Sequence, residues 1–288
     1  MAGDIRPWRA EPCQAARDAR GLRRPRVASR HRYARRQRRM RLLTNLLRSA
    51  LIEPLRKQAL AKRHLADLLR ALRKFQRDPD ACADPGSPLL ACLVRLWGNQ
   101  PWAAEEEYLA ASIKEALAAK GAILECGSGL STILIGMVAQ RTGSVVWSLE
   151  NEPGYGAQIK AFAKRRGLES VNLHVAPLRD YGEFDWYDPP LERMPERFSL
   201  ILCDGPNART RGGRCGMLPV MRTRLDQGCV ILLDDARRDA ERAIASTWAT
   251  ELSSSFEVRG VKKPYARLVV LGHGTALRPG AIQQAASG

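Results

Sequence analysis

The stretch Ile123-Leu124-Glu125-Cys126-Gly127-Ser128-Gly129-Leu130-Ser131-Thr132 reads as a short apolar strand, a glycine turn and the opening of a helix. Glycines at 127 and 129 let the backbone approach a ligand closely, and the free amides of a helix start favour an anionic group. A lone G-x-G is equally a plain tight turn. Glu125 adds weight, because a carboxylate within an apolar run is costly unless a cation or hydrogen-bond donor meets it. Working outward, residues 103–119 have helical spacing with Gly121 as a stop, and 130–140 is again helical. A strand follows at 145–149, a helix at 155–166 ended by Gly167, and a strand at 171–175. Beyond a longer loop come a strand at 198–203, a helix around 217–225, a strand at 230–233, a helix from 237 to about 252, and two strands at 256–261 and 267–271. Strands separated by helices predict an α/β fold with a doubly wound, mostly parallel sheet, and the closing pair predicts an antiparallel hairpin.

Glu150 ends the second strand, where doubly wound folds place an acid that accepts hydrogen bonds from ribose hydroxyls. A nicotinamide dinucleotide site shares that acid, but its fingerprint wants a third glycine where this chain has Thr132 and has no use for Glu125. Asp204 ends the strand at 198–203, inside Cys203-Asp204-Gly205-Pro206-Asn207, and Asp234-Asp235 ends the next. Carboxyl ends of adjacent parallel strands share one rim, so three acids there repel unless a cation, a basic residue or protons intervene. For the pair, capping the helix that starts near Arg237 and pairing with Arg237 or Arg238 is the rival reading to metal or substrate binding.

Together the Glu-Cys-Gly-Ser-Gly turn, the acid at the end of the next strand and the antiparallel closing strands resemble the class I S-adenosylmethionine-dependent methyltransferases, over about residues 103–272. The resemblance implies a Rossmann-like fold and S-adenosylmethionine as cofactor. It places Gly127 and Gly129 along the methionine moiety with Ser128, Ser131 and Thr132, Glu125 beside the amino group and Glu150 on the ribose. Adenine would lie near Pro177 and Leu178. The strand-end acids are similar to those of the catechol-type small-molecule O-methyltransferases, which implies Mg2+ at Asp204, Asp234 and Asp235, with Asp204 and Asp235 acting on a small-molecule acceptor. The chain departs from that pattern at Asn207, where a lysine is usual, and at Asp235, where an asparagine is usual.

Charge is unevenly placed. The formal net charge is +17, yet residues 1–39 hold 13 Lys+Arg against 3 Asp+Glu, residues 40–78 hold 10 against 3, and the remainder is balanced at 24 against 24. Residues 1–39 are Arg-, Ala- and Pro-rich with few large apolar residues, a composition that predicts disorder. Residues 40–78 carry leucines at helical spacing with Lys and Arg on the other face, a basic amphipathic segment with Pro54 as a candidate break. Such a segment suits nucleic acid or an anionic membrane, or packs its leucines on the core; packing is the favoured reading. Residues 79–102 read as linker and lead-in, 103–275 as the methyltransferase domain and 276–288 as a flexible tail. The alternative function is a cofactor- or nucleotide-binding module that uses its basic tail without transferring a methyl group.

Seven cysteines without a C-x-x-C pair argue against a zinc site, and Cys126, Cys203 and Cys229 read as small buried hydrophobes. No apolar run reaches the roughly 20 residues of a membrane span, and the Arg-rich start lacks the apolar core of a secretory signal, so the expected location is the cytoplasm. Four aromatics in the loop 179–197 (Tyr181, Phe184, Trp186, Tyr187) are candidates for an acceptor pocket or for anchors on the core. Arg209, Arg211 and Arg214 read as an anion-binding or solvent-facing group.

Overall fold

The computed structural model describes residues 40, 53–98 and 104–271. The readings of residues 1–39, of most of 40–52 and of the tail 276–288 lie outside these residues. The chain divides into two units, residues 1–61 and 62–288, and the core and candidate site belong to the second. Among the described residues no helix is long and apolar enough to cross a membrane.

Among the described residues nine strands form: β1 Ala122–Cys126, β2 Val146–Glu150, β3 Val171–Val175, β4 Leu178–Asp180, β5 Asp185–Tyr187, β6 Phe198–Cys203, β7 Leu225–Leu233, β8 Phe256–Arg259 and β9 Tyr265–Val269. Seven of them make one sheet in the order β3-β2-β1-β6-β7-β9-β8. The first five in that order are parallel, whereas β9 pairs antiparallel with both β7 and β8. The expected Rossmann-like sheet with its antiparallel closing strands is therefore present. β4 and β5 pair by themselves as a small antiparallel hairpin within the stretch expected to be loop.

The helices are α1 Glu53–Arg77, α2 Pro88–Trp97, α3 Glu106–Ala118, α4 Leu130–Thr142, α5 Pro153–Arg165, α6 Met217–Met221 and α7 Asp239–Glu251. Alternation along each strand splits the core into two layers. Ile123, Val146, Leu200, Leu202 and Leu232 face residues of α1 to α5, while Leu124, Leu149, Ile201, Ile231 and Leu233 face α6, α7, Trp186 and Tyr187. A strand buried on both faces reads as a continuous apolar run, which is why β1 and β6 stood out in sequence.

Two expectations change. The helix around 217–225 is shorter: after α6 one 3-10 turn at Arg222–Arg224 leads directly into β7 at Leu225. Within the stretch read as linker and lead-in, Ser87 caps α2 by accepting from the Leu90 amide at 3.4 Å, Pro88 takes the first helical position, and Leu90, Leu93 and Val94 are buried in the core. Burying one such side chain is worth about 1.5–3 kcal/mol, so this part belongs to the folded body. In α1 Leu68, Ala71, Leu72 and Phe75 are buried, while Leu60 and Leu65 stay exposed with Lys62, Arg63, Arg70, Arg73, Lys74 and Arg77.

The sheet order reverses between β1 and β6: the chain winds outward from β1 to β3, then returns to place β6 on the other side of β1. Ligands of open α/β sheets bind at that crevice, outside the carboxyl ends of the strands. Cys126 and Cys203, the last residues of the two strands, are register partners there, so Gly127 and Asp204 emerge side by side.

Candidate functional site

At the crevice Gly127 has φ +95°, a region open to glycine, and a Cβ there would lie 3.4 Å from the Asp204 carbonyl carbon. The turn is thereby held against β6, and the Asp204 amide donates to the Cys126 carbonyl at 3.0 Å. Gly129 is the N-cap of α4 and has no side chain to satisfy the first-turn amides. Thr132 occupies the place of a third glycine for a visible reason: its Oγ1 accepts from the Gly129 amide at 2.9 Å and donates to Glu125 Oε2 at 2.7 Å.

The other Glu125 oxygen, Oε1, is buried with no hydrogen-bond partner. Burial pushes this carboxyl up to about 7, against the opposing pull of the nearby Ser131, Ser148 and Thr132 hydroxyls. Glu150 is also buried but well satisfied. Its Oε2 accepts from the Ser128 amide at 3.1 Å and the Ser128 hydroxyl at 2.6 Å, and its Oε1 accepts from the Glu152 amide at 3.0 Å. A carboxylate offers about four acceptor positions, so Glu150 braces the turn and keeps one for a ligand. An orphaned buried carboxylate oxygen beside the amides of a helix start suits an amino-acid group carrying an ammonium and a carboxylate. Pro177 and Leu178 follow β3 with exposed side chains, and Ala176 ties that segment to the site through its amide on the Glu150 carbonyl at 2.8 Å.

On the other side of the crevice Asp204, Asp234 and Asp235 converge with carboxylate oxygens within 4.8 Å of one another. Their repulsion is met by side chains. Arg214 is buried; its Nη2 donates to Asp204 Oδ1 and Asp235 Oδ2, both at 2.9 Å, and to the Asp204 carbonyl at 3.0 Å, while Nη1 donates to the Asp234 carbonyl at 2.6 Å. Lys263 Nζ stands 2.7 Å from Asp234 Oδ2 and 3.5 Å from Asp235 Oδ1, and Arg238 lies 2.9 Å from Asp235 Oδ2. Asp234 is fully buried, and its Oδ1 has no donor. Asp204 is the most exposed of the three, with 27% of its side chain accessible against 12% for Asp235. Burial and the neighbouring Asp234 push its carboxyl well above the ordinary range, outweighing Arg214 and Lys263. Asp235 is the opposite case: Arg214, Lys263 and Arg238 outweigh burial and hold it below that range.

The implied Mg2+ does not fit this donor set. The point shared by Asp204 and Asp235 is taken by the Arg214 guanidinium, and like charges about 4 Å apart repel by about 4 kcal/mol per charge pair even at an effective dielectric of about 20. The capping alternative for Asp234-Asp235 also fails, because α7 begins only at Asp239 with Arg238 as its N-cap. Pairing with Arg238 is what the structure shows.

Residues 124–236 match the family model described as a methyltransferase domain, a span that contains the glycine turn, Glu150, Asp204 and the Asp234-Asp235 pair. Over that segment the chain is similar to a methyltransferase domain. No curated protein matches the chain. Among solved structures, a methyltransferase from Podospora anserina with S-adenosylhomocysteine bound is similar at 16% identity and a TM-score of 0.48, over 75% of this chain and 96% of that one. An O-methyltransferase from Bacillus cereus is 17% identical over 57% of this chain and 80% of its own, with a TM-score of 0.43. A precorrin-6y C5,15-methyltransferase from Geobacter metallireducens is 16% identical over 60% and 92%, with a TM-score of 0.44. None of these likenesses carries an acceptor over to this chain.

Within the matched segment, the residues expected around the turn (Glu125, Gly127, Ser128, Gly129, Thr132 and Glu150) are brought together, and so are the three strand-end acids. Sequence reading missed Lys263 altogether and grouped Arg214 with two arginines of different fate: Arg211 pairs with Asp180 and Asp185 of the β4–β5 hairpin. The signal was present only in general form, as three like charges in need of a counter-charge. The aromatic loop serves as anchor: Trp186 and Tyr187 are fully buried, and a Cβ on Gly205 would come within 2.2 Å of the Tyr187 hydroxyl.

Proposed function

We propose that this methyltransferase domain methylates a hydroxyl oxygen of a small-molecule acceptor, with Asp204 as the residue that receives or orients the hydroxyl proton. The observation that carries the reading is the position of Asp204. Its backbone touches the glycine turn, its carboxyl is the most exposed of the acid cluster, and burial raises its proton affinity, as a proton acceptor needs.

Bound S-adenosylmethionine supplies an electrophilic methyl group. The chain's own residues hold and orient. The α4 amides and Glu125 would hold the two charged ends of the methionine portion, and Glu150, braced by Ser128, would hold the sugar. Asp204 would accept the proton of the acceptor oxygen as that oxygen takes the methyl. Positioning of this kind contributes several kcal/mol when reacting atoms are held about 3–3.5 Å apart.

The reading is tested by incubating the protein with S-adenosylmethionine and a panel of phenols, catechols, hydroxy acids and amines, following S-adenosylhomocysteine and locating the methyl by mass spectrometry. O-methylated product from at least one hydroxyl acceptor is expected. Turnover on amines alone would replace the oxygen assignment with a nitrogen one.

A further inference from the structure

Lys263 sits on the turn between β8 and β9, far in sequence from the acids it meets. Glu107, at the start of α3, fixes that turn by accepting from the backbone amides of Val261 at 2.8 Å, Lys262 at 2.9 Å and Lys263 at 3.0 Å. Gly260, with φ +89°, lets the turn close on the same carboxylate. Arg214 meets the same acids, and two of its four acceptors are backbone carbonyls. Asp204, Asp234 and Asp235 thus face three cations, Arg214, Lys263 and Arg238, the last shared with the buried Glu241. A divalent ion added here would stand among cations that already occupy the acids around the fully buried Asp234.

We propose that Arg214 and Lys263 form a built-in cation pair standing where the catechol-type enzymes hold a divalent ion, so that transfer at this site is metal-independent. The inference rests on the methyltransferase reading for its consequence in catalysis, but not for its test on binding. The planar fork of Arg214 bridges Asp204 and Asp235 as a single ion would, with the difference that it keeps its charge at every accessible pH and cannot be removed by a chelator.

The test titrates the full chain with Mn2+ and follows the electron paramagnetic resonance signal of the free ion, with S-adenosylhomocysteine binding measured on the same samples by calorimetry. The wild type is expected to leave the Mn2+ signal at its free-ion amplitude into the millimolar range, and its transfer rate, once an acceptor is in hand, to change less than twofold with a chelator. Lys263→Ala and Arg214→Ala each vacate one position, so each should bind Mn2+ at least tenfold more tightly than the wild type and gain melting temperature from it. Arg214→Ala leaves more buried charge exposed to repulsion and risks misfolding; Lys263→Ala then carries the test alone. One Mn2+ bound per wild-type chain below millimolar concentration, and lost in Asp204→Asn, overturns the proposal. So does a Lys263→Ala protein that binds Mn2+ no better than the wild type. Absence of S-adenosylhomocysteine binding in the same samples would instead strike the methyltransferase reading and leave the cation result standing.

Discussion

Glu125 illustrates how one residue is held at a cost for a ligand's sake. Raising its carboxyl from 4.5 to about 7 corresponds, at about 1.4 kcal/mol per pH unit, to about 3 kcal/mol of penalty on the ionised form in the ligand-free chain. The folded chain therefore binds this proton more tightly than the unfolded chain, so the stability linked to it is present below about pH 4.5 and lost as pH rises through about 7. Glu125→Gln removes the ionisation. Its melting temperature relative to wild type should rise between pH 6 and pH 8, while S-adenosylhomocysteine affinity falls at least tenfold; a difference that is flat with pH would show that Glu125 stays ionised. Asp204 belongs to the same scale with the opposite emphasis. Asp204→Asn should lower transfer at least a hundredfold while cofactor affinity stays within a few fold, because the turn contacts come from β1 and β2. Full turnover in that variant on a verified acceptor would reduce Asp204 to a turn residue.

Between elements, the site depends on loops being delivered to the rim, and Glu107 is the clearest case. Its carboxylate is held below the usual range by three backbone amides, so its contribution to stability is present above its unfolded value near 4.5 and fades as pH falls below it. Glu107→Ala should speed amide exchange at 261–263 and lower the melting temperature by a few degrees at pH 7, with the difference from wild type shrinking at low pH; unchanged exchange there would mean that the turn holds itself. Packing between α4 and β3 gives a second check. A Cβ on the buried Gly136 would lie 2.4 Å from Val171 Cγ2, so Gly136→Ala should cost about 1–3 kcal/mol as an overpacked contact, less up to about 1 kcal/mol from the better helix former. A more stable variant in chemical denaturation would show that Val171 simply turns away.

At the scale of the molecule, a ligand that binds only the folded state stabilises it by about 2.7 kcal/mol at a hundred times its dissociation constant. For a chain of this size that predicts a rise of about 5–10 °C in melting temperature with S-adenosylhomocysteine, and no rise at saturating ligand would contradict the turn assignment. Much of this architecture was legible in sequence because its determinants are local. Alternation of apolar runs and helical spacing marked the strands and helices, and Gly127 and Gly129 beside Glu125 marked the turn, since backbone freedom and the cost of a buried acid are properties of the residues themselves. Residues 79–102 and Trp186-Tyr187 were ambiguous, because linker-like composition and aromatic loops do not say what they pack against. The acid cluster was the limit. Sequence placed Asp204, Asp234 and Asp235 at strand ends and showed that their charges needed an answer, but several answers satisfy that need equally in one dimension. Only the tertiary structure chose among them, by folding the turn that bears Lys263 under Glu107 and threading Arg214 between two carboxylates, because charge compensation acts through space over a few ångströms and leaves no periodicity along the chain.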